Sequence, residues 1–479
     1  MVKKLKSNGI YFTGKASEEV TGSQYLVRFG KYQCLLECGL YQSSSNSYLD
    51  SYKINSEKFN FKPSEIDYVF ICHPHIDHSG LIPRLVKEGF CGRIIATHKT
   101  AEIMRSLLYN SCYIISDEAR ILSKRYKREY EPLYYEKDVD RAIGMIWEYD
   151  EYNTVYSLND TISFKWLHNS HCLGAAQLQL FLTDGSKTRT VLYTSDIGAL
   201  NTDNHYVDST ELPTSFNDCV LMESTYGDPK RESKKTRQFD IEHLKSAIDT
   251  TLARNGSVLL PCFSFSRTQE ILTTLYEIYG KDEQFKTKVV VDSRLSCDIS
   301  KTYSRILTSE DLSLWKEASQ WENVRFISET EDSQRCLADN SAKVVISSSG
   351  FCTNGRIVNY LKKYLRDRNS LIIFSGYTGD NPSYLSFRIK NYRDHKFISI
   401  SKERVPNRAD CIALTTFSNH AGYSDLIRYG SSLNTNKLIL VHGDTESKKS
   451  LSDGLREAIS NNNKTYKVVS ASRGMIVHL

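Results

Sequence analysis

His73-Pro74-His75-Ile76-Asp77-His78 places four potential metal ligands within six residues, directly after the apolar run Tyr68–Cys72. A buried-type strand delivers the chain to the rim of a sheet, where a loop and a helix start can turn several side chains toward one point. Imidazole nitrogens together with a carboxylate oxygen suit Zn²⁺. Three of the chain's twelve histidines lie in this hexapeptide, which argues against a chance polar loop. One hexapeptide cannot close two metal sites, so more ligands are expected at other strand ends. His171 follows the strand-like ISFKWLH, Asp196 ends VLYTSD and His442 ends LILVH. A single His ending a strand is usually structural. Three such residues beside H-x-H-x-D-H reverse that expectation.

The elements that must position these residues are legible as apolar runs broken by turns. Residues 10–42 alternate short strand-like runs with turns, as in a β-meander. Ser79 is expected to N-cap a helix over LIPRLVKEGF that stops near Gly89. Residues 99–150 read as helical and highly charged, a solvated face. From 256 onward the rhythm changes. Strand-like runs at Ser257–Phe263, Lys288–Asp292, Val324–Ile327, Lys343–Ser348 and Leu371–Gly376 are mostly separated by helical stretches, which implies βαβ units and a mostly parallel sheet. Residues 396–419 become strand-like again, and 437–442 form another buried-type strand. Gly185-Ser-Lys-Thr188 lacks the earlier glycine of a phosphate loop and is expected to be a hairpin turn.

Composition bounds the class. At roughly 150 residues per domain, 479 residues suggest two or three packed domains. Hydrophobic residues make up 40% and charged residues 25%, as in globular chains. No apolar run approaches the ~20 residues of a membrane span. The basic N-terminus is not followed by an apolar segment, so no secretory signal is expected. Twelve cysteines without C-x-x-C pairs read as reduced thiols of a cytoplasmic protein. A net charge of +5 permits a polyanionic partner without requiring one.

The ordered set of motifs resembles the metallo-β-lactamase superfamily, and more narrowly its β-CASP branch of nucleic-acid nucleases, over nearly the whole chain. The matching stretches are Thr21-Gly22-Ser23, Leu36-Glu37-Cys38-Gly39-Leu40, His73 to His78, His171-Cys-Leu-Gly-Ala, Tyr193-Thr-Ser-Asp196, Glu223-Ser-Thr-Tyr-Gly227, the run from Leu260 through Arg267 to Glu270, Asp292-Ser293, Ser347-Ser-Ser-Gly350, Phe417-Ser-Asn-His420-Ala and Val441-His442-Gly443. The resemblance implies an α/β fold: a four-layer αβ/βα sandwich over 1–223 and 396–479, with a parallel α/β β-CASP domain, 224–395, inserted into it. It implies two Zn²⁺ per chain, one held by His73, His75 and His171, the other by Asp77, His78 and His442, with Asp196 bridging. It implies phosphodiester hydrolysis by a metal-bridging hydroxide, with His420 as general acid oriented by Glu223. Glu37 stands where the family carries Asp, behind the ligands.

The resemblance also bears on substrate. A His at the position of His442 resembles the RNA-directed members, which favours single-stranded RNA. Ser348, Ser349, Gly350, Gly376, Tyr377 and Arg267 are candidate substrate contacts. Gly422 replaces an Asp after the acid motif, Phe351 and Asn354 alter the S-G-M-x-x-G-G loop, and Asn381-Pro382-Ser383 departs from Thr-x-Gly-Arg. Three alternatives stay open: a DNA nuclease of the same fold, a non-catalytic RNA-binding subunit of an RNA-processing complex, and a small-molecule hydrolase. Endonucleolytic and 5′-exonucleolytic action are not separated, and pairing with a second copy or another protein is left open.

Overall fold

In the computed structural model, which describes residues 7–43, 45 and 47–479, the apolar runs become strands of three principal sheets. The basic residues 1–6, part of the basis for expecting no secretory signal, lie outside the described residues. Among those described, no helix is long and apolar enough to cross a membrane. By packing, the chain separates into two units. The first comprises the chain up to Thr202, Val207–Glu232 and Asn419–Leu479. The second comprises Asp203–Tyr206 and Ser233–Ser418.

The first unit stacks two seven-stranded sheets. One runs in the order Ile476–His478, Gly9–Phe12, Tyr25–Phe29, Tyr32–Leu36, Tyr68–Phe70, Arg93–Ala96, Ile146–Glu148. The other runs Lys467–Ser470, Lys437–Val441, Cys219–Glu223, Lys187–Tyr193, Ala176–Asp184, Ile162–His168, Tyr156–Ser157. Their facing surfaces form one core, with Phe12, Val27 and Phe70 meeting Phe164, Trp166 and Leu178. Phe70 and Phe164 pack edge to face at 5.2 Å. Alternate residues point outward to helices. Leu26, Leu35 and Val69 meet Leu85 and Met104 of the helices Ile82–Lys87 and His98–Tyr126. Val220, Leu438 and Leu440 meet Leu426 and Leu455 of Tyr423–Ser432 and Thr445–Asn461. Burial on both faces explains why the central strands read as continuous apolar runs rather than alternating ones. The result is the four-layer α/β sandwich. Gly185, at φ 58°, makes the expected hairpin turn, with Asp184 opposite Lys187.

The second unit is built on a six-stranded parallel sheet in the order Val324–Ile327, Lys288–Asp292, Lys343–Ser347, Val258–Pro261, Leu371–Phe374, Asp410–Ala413. The helix Arg267–Tyr279 carries the chain from Val258–Pro261 toward one edge. The helix Ile357–Tyr364 carries it from Lys343–Ser347 toward the other. Adjacent strands whose crossovers leave in opposite directions open a crevice at their carboxyl ends.

Two local readings differ from the structure. Ser79 caps no helix. It lies in the one-turn helix Ile76–Ser79, and its hydroxyl donates to the carbonyls of Pro74 and His75, so the next helix begins at Ile82 without a side-chain cap. Ile146–Glu148, inside the stretch read as helical, is an edge strand, its short apolar signal hidden by the charge around it. The strand-like reading of 396–419 holds: Phe397–Ile400, Glu403–Pro406 and Asp410–Ala413 are strands, and the last pairs with Leu371–Phe374 in the parallel sheet.

Candidate metal centre

Strand ends bring the cluster together. Leu192 pairs with Val220 and Glu223 with Val441 in parallel register, so Asp196, Glu223 and His442 leave one rim of one sheet. His171 follows the strand Ile162–His168 of the same sheet. The facing sheet supplies His73 and His75 after Tyr68–Phe70, and the short helix Ile76–Ser79 turns Asp77 and His78 inward.

The ligand atoms of His73, His75 and His171 lie within 4.8 Å of one another, as do those of Asp77, His78, Asp196 and His442. Nε2 of His171 is 3.2 Å from Nδ1 of His75, and the Nε2 atoms of His78 and His442 are 3.3 Å apart. Asp196 Oδ2 sits 3.3 Å from His78 Nε2, 3.8 Å from His73 Nε2 and 3.9 Å from His171 Nε2. This places one carboxylate against both groups. Nε2 of His73 is buried with no hydrogen-bond partner, an arrangement that costs free energy in an ordinary core. Imidazole lone pairs facing each other around buried carboxylates fit divalent cations.

Charge states agree. Burial first, and then the neighbouring imidazoles, hold His73 and His171 well below the ordinary histidine range. Burial lowers His75 to about 4 against the pull of Asp77 and Asp196. These three are neutral at pH 7, as ligation requires. Burial would raise Asp77 and Asp196, but the imidazoles around them outweigh it and keep both below the usual carboxylate range. His78 goes the other way. Burial opposes its protonation, but Asp196 and Asp77 outweigh this and raise it.

Behind the ligands, Glu37 is fully buried, with a left-handed backbone at φ 60°. Its carboxylate accepts from Ser195 Oγ at 3.0 Å and from the Cys72 amide at 3.3 Å, and lies 3.4 Å from His78 Nδ1. Ser195 Oγ is also 3.0 Å from His73 Nδ1. With Ser195 donating to Glu37, the His73 Nδ1–H donates to Ser195 and its Nε2 lone pair faces the cluster. The additional methylene of Glu over Asp therefore leaves the support intact. Sequence reasoning missed Ser195, although it precedes Asp196 in T-S-D. It also missed Thr225, whose Oγ1 is 3.0 Å from His442 Nδ1.

His420 stands beside the cluster, its ring 4.6 Å from that of His171. Its Nδ1 is 3.1 Å from Glu223 Oε1. Glu223 is itself fixed by amides, Oε1 accepting from Ile197 at 2.8 Å and Oε2 from Thr225 at 3.1 Å. Burial alone would lower His420, but Glu223 and then Asp196 outweigh it and raise it to about 9. A side chain at Gly422 would meet the Glu232 carboxylate at 3.1 Å, and that carboxylate accepts from Ser424 N and Oγ at the start of the helix Tyr423–Ser432. A Glu from another segment thus lies against the position where the Asp is absent.

The expected substrate contacts lie in the second unit. Ser348, Ser349 and Gly350 follow the strand Lys343–Ser347, and Gly376 and Tyr377 follow Leu371–Phe374. Gly350 backs onto the Phe263 ring, which a Cβ there would meet at 3.0 Å, whereas Gly376 faces open space. Arg267 is buried near Glu270. In the altered loop, Cys352 and Gly355 take a left-handed backbone, at φ 60° and 79°.

Comparison with known proteins agrees with this geometry. Residues 18–148 match the Metallo-beta-lactamase superfamily, 268–382 the Beta-Casp domain, and 404–466 the Zn-dependent metallo-hydrolase RNA specificity domain. Ribonuclease TTHA0252 of Thermus thermophilus is 28% identical over 440 residues, 90% of this chain and 92% of that protein. Endoribonuclease YSH1 of Saccharomyces cerevisiae is 24% identical over 91% of this chain, which spans 54% of the yeast protein's length. A crystal structure of a protein of unknown function from Enterococcus faecalis shares the fold, with a TM-score of 0.55 at 14% identity, covering 99% of this chain and all of that one. The buried His/Asp cluster therefore fits a metal-binding centre, and the chain carries a metallo-beta-lactamase domain with an inserted Beta-Casp domain.

Proposed function

We propose that the chain is a zinc-dependent ribonuclease that hydrolyses phosphodiester bonds of single-stranded RNA. The observation that carries this reading is the buried cluster of two ligand sets sharing Asp196, with the His420–Glu223 pair beside it. His73, His75 and His171 would hold one Zn²⁺, Asp77, His78 and His442 the other, with Asp196 touching both. Bound there, the cations supply Lewis acidity and lower the pKa of water to about 7. The protein's own part is proton delivery and positioning. His420 gives its Nε2 proton to the departing oxygen, and Glu223, held by two amides, keeps the ring in place and favours its protonated state. Asp77 and Asp196, ionised, offset the cations without cancelling them, so the site attracts an anionic diester. His442, and the RNA specificity domain match around it, support RNA over DNA. The relatives' names support a ribonuclease. The loops Ser348–Gly350 and Gly376–Tyr377 are the proposed substrate contacts of the second unit.

The test is to incubate the zinc-loaded full-length chain with end-labelled RNA and with DNA of the same sequence, and to size the products. RNA cleavage that EDTA abolishes is expected. Equal cleavage of DNA would replace the reading with a general nuclease, and bound zinc without any cleavage would point to an RNA-binding subunit.

A further inference from the structure

At the carboxyl end of the parallel sheet, two aromatic rings stand in solvent beside buried ones. Phe263 follows the strand Val258–Pro261 and Tyr377 follows Leu371–Phe374. Each is 43% exposed, whereas Phe265 and Phe374 in the same stretches are 4% and 2% exposed. Phe351, in the loop after Lys343–Ser347, packs against both. Its ring is nearly perpendicular to Phe263 (centroids 5.1 Å apart, 87°) and to Tyr377 (6.1 Å, 84°), and it leans on Tyr384 at 4.8 Å. The two outer rings are thus held in fixed orientation by a third while keeping much of their surface wet. Gly350 gives the Phe263 ring room that any side chain would take, since a Cβ there would lie 3.0 Å from it.

Polar groups border the rings. Ser348 Oγ donates to Ser293 Oγ at 2.9 Å, and Ser264 Oγ lies 3.4 Å from the same atom. Rings and hydroxyls stand together where adjacent strands, Val258–Pro261 and Lys343–Ser347, send their crossovers in opposite directions. That is the place where open α/β sheets bind ligands. A nucleotide presents the matching pair of surfaces, a flat base and a polar sugar-phosphate.

We infer that Phe263 and Tyr377, braced by Phe351, form a stacking platform that seats nucleobases of single-stranded RNA by their faces, without reading sequence. This deepens the ribonuclease reading and rests on it.

Stopped-flow titration of zinc-loaded full-length protein against a single-stranded RNA carrying 2-aminopurine follows stacking as fluorescence quenching before turnover. Phe263→Leu and Tyr377→Leu keep apolar bulk without a ring. Each should weaken Kd roughly ten-fold, as expected when one base–aromatic stack is lost, and reduce the quench. Phe263→Tyr and Tyr377→Phe should restore both, and KM for cleavage should follow Kd. Wild-type Kd and full quench in both leucine variants would overturn the platform. A wild-type chain that quenches but never cleaves would instead overturn the ribonuclease reading and leave the platform standing.

Discussion

His420 and Asp77 lie in one cluster, and their losses should differ. His420 touches Glu223 through Nδ1 and belongs to neither proposed ligand set. His420→Ala should keep both metals and lose cleavage by roughly 100-fold or more. Asp77→Ala should lose metal and activity together. Metal analysis on the purified variants separates the two, and zinc loss from the His420 variant would end its role as acid. Glu37 offers a finer probe. Glu37→Gln keeps an acceptor for Ser195 and for the Cys72 amide but puts a neutral amide in place of the carboxyl group 3.4 Å from His78 Nδ1. Zinc affinity should fall about 10- to 100-fold, which competition with a chelating dye would measure. At this scale the ligands were legible because each is a polar residue that ends an apolar run. Ser195 and Thr225 were not, because hydroxyl residues occur on every strand end and only the fold shows which ones face an imidazole.

Among the elements, the short segment Asp203–Tyr206 packs with the second unit although it lies in sequence amid the first. Its anchors are local. Tyr206 Oη is 2.6 Å from Thr273 Oγ1, and His205 places Nδ1 3.0 Å from Glu270 and Nε2 3.1 Å from Glu277, with Arg237 also on Glu270. Burial would lower His205, but the two carboxylates outweigh it and raise its pKa to about 9. A folded-state value above the unfolded one, near 6.5, means the imidazolium stabilises the fold fully below pH 6.5. That contribution fades as pH rises and is gone beyond about 9. Urea unfolding of the wild type and of His205→Gln should show a gap at pH 6 that closes by pH 10. A gap constant with pH would show that the carboxylates do not hold the proton. Nothing local in the sequence marks His205, because its partners lie 65 and 72 positions away. Strands with continuous apolar runs were readable, whereas Ile146–Glu148, with three residues, was not.

Across the whole molecule, the change from a β-meander to strand–helix alternation near residue 256 was visible in the sequence as a change of period. The order of strands was not. Pairing of Ile476–His478 with Gly9–Phe12 joins the two chain ends in one sheet, and nothing local in either segment announces the other. The same non-local closure gathers the proposed ligands, spread from residue 73 to 442, into the first unit alone, together with Glu223 and His420. On the proposed assignment, a bound cation acts unevenly on the chain. A ligand that binds only the native state stabilises it by about 4 kcal/mol at 1,000 times its dissociation constant. On that assignment the energy enters through the backbones of Tyr68–Phe70, Ile162–His168, Lys187–Tyr193 and Lys437–Val441, whose ends carry the proposed ligands. Hydrogen exchange with and without zinc should show slowed exchange in those strands, while Val258–Pro261 and Leu371–Phe374 of the second unit keep their rates. Protection that appears first in the second unit, or in neither, would mean that the cation is held elsewhere and that the His/Asp cluster is not the metal centre.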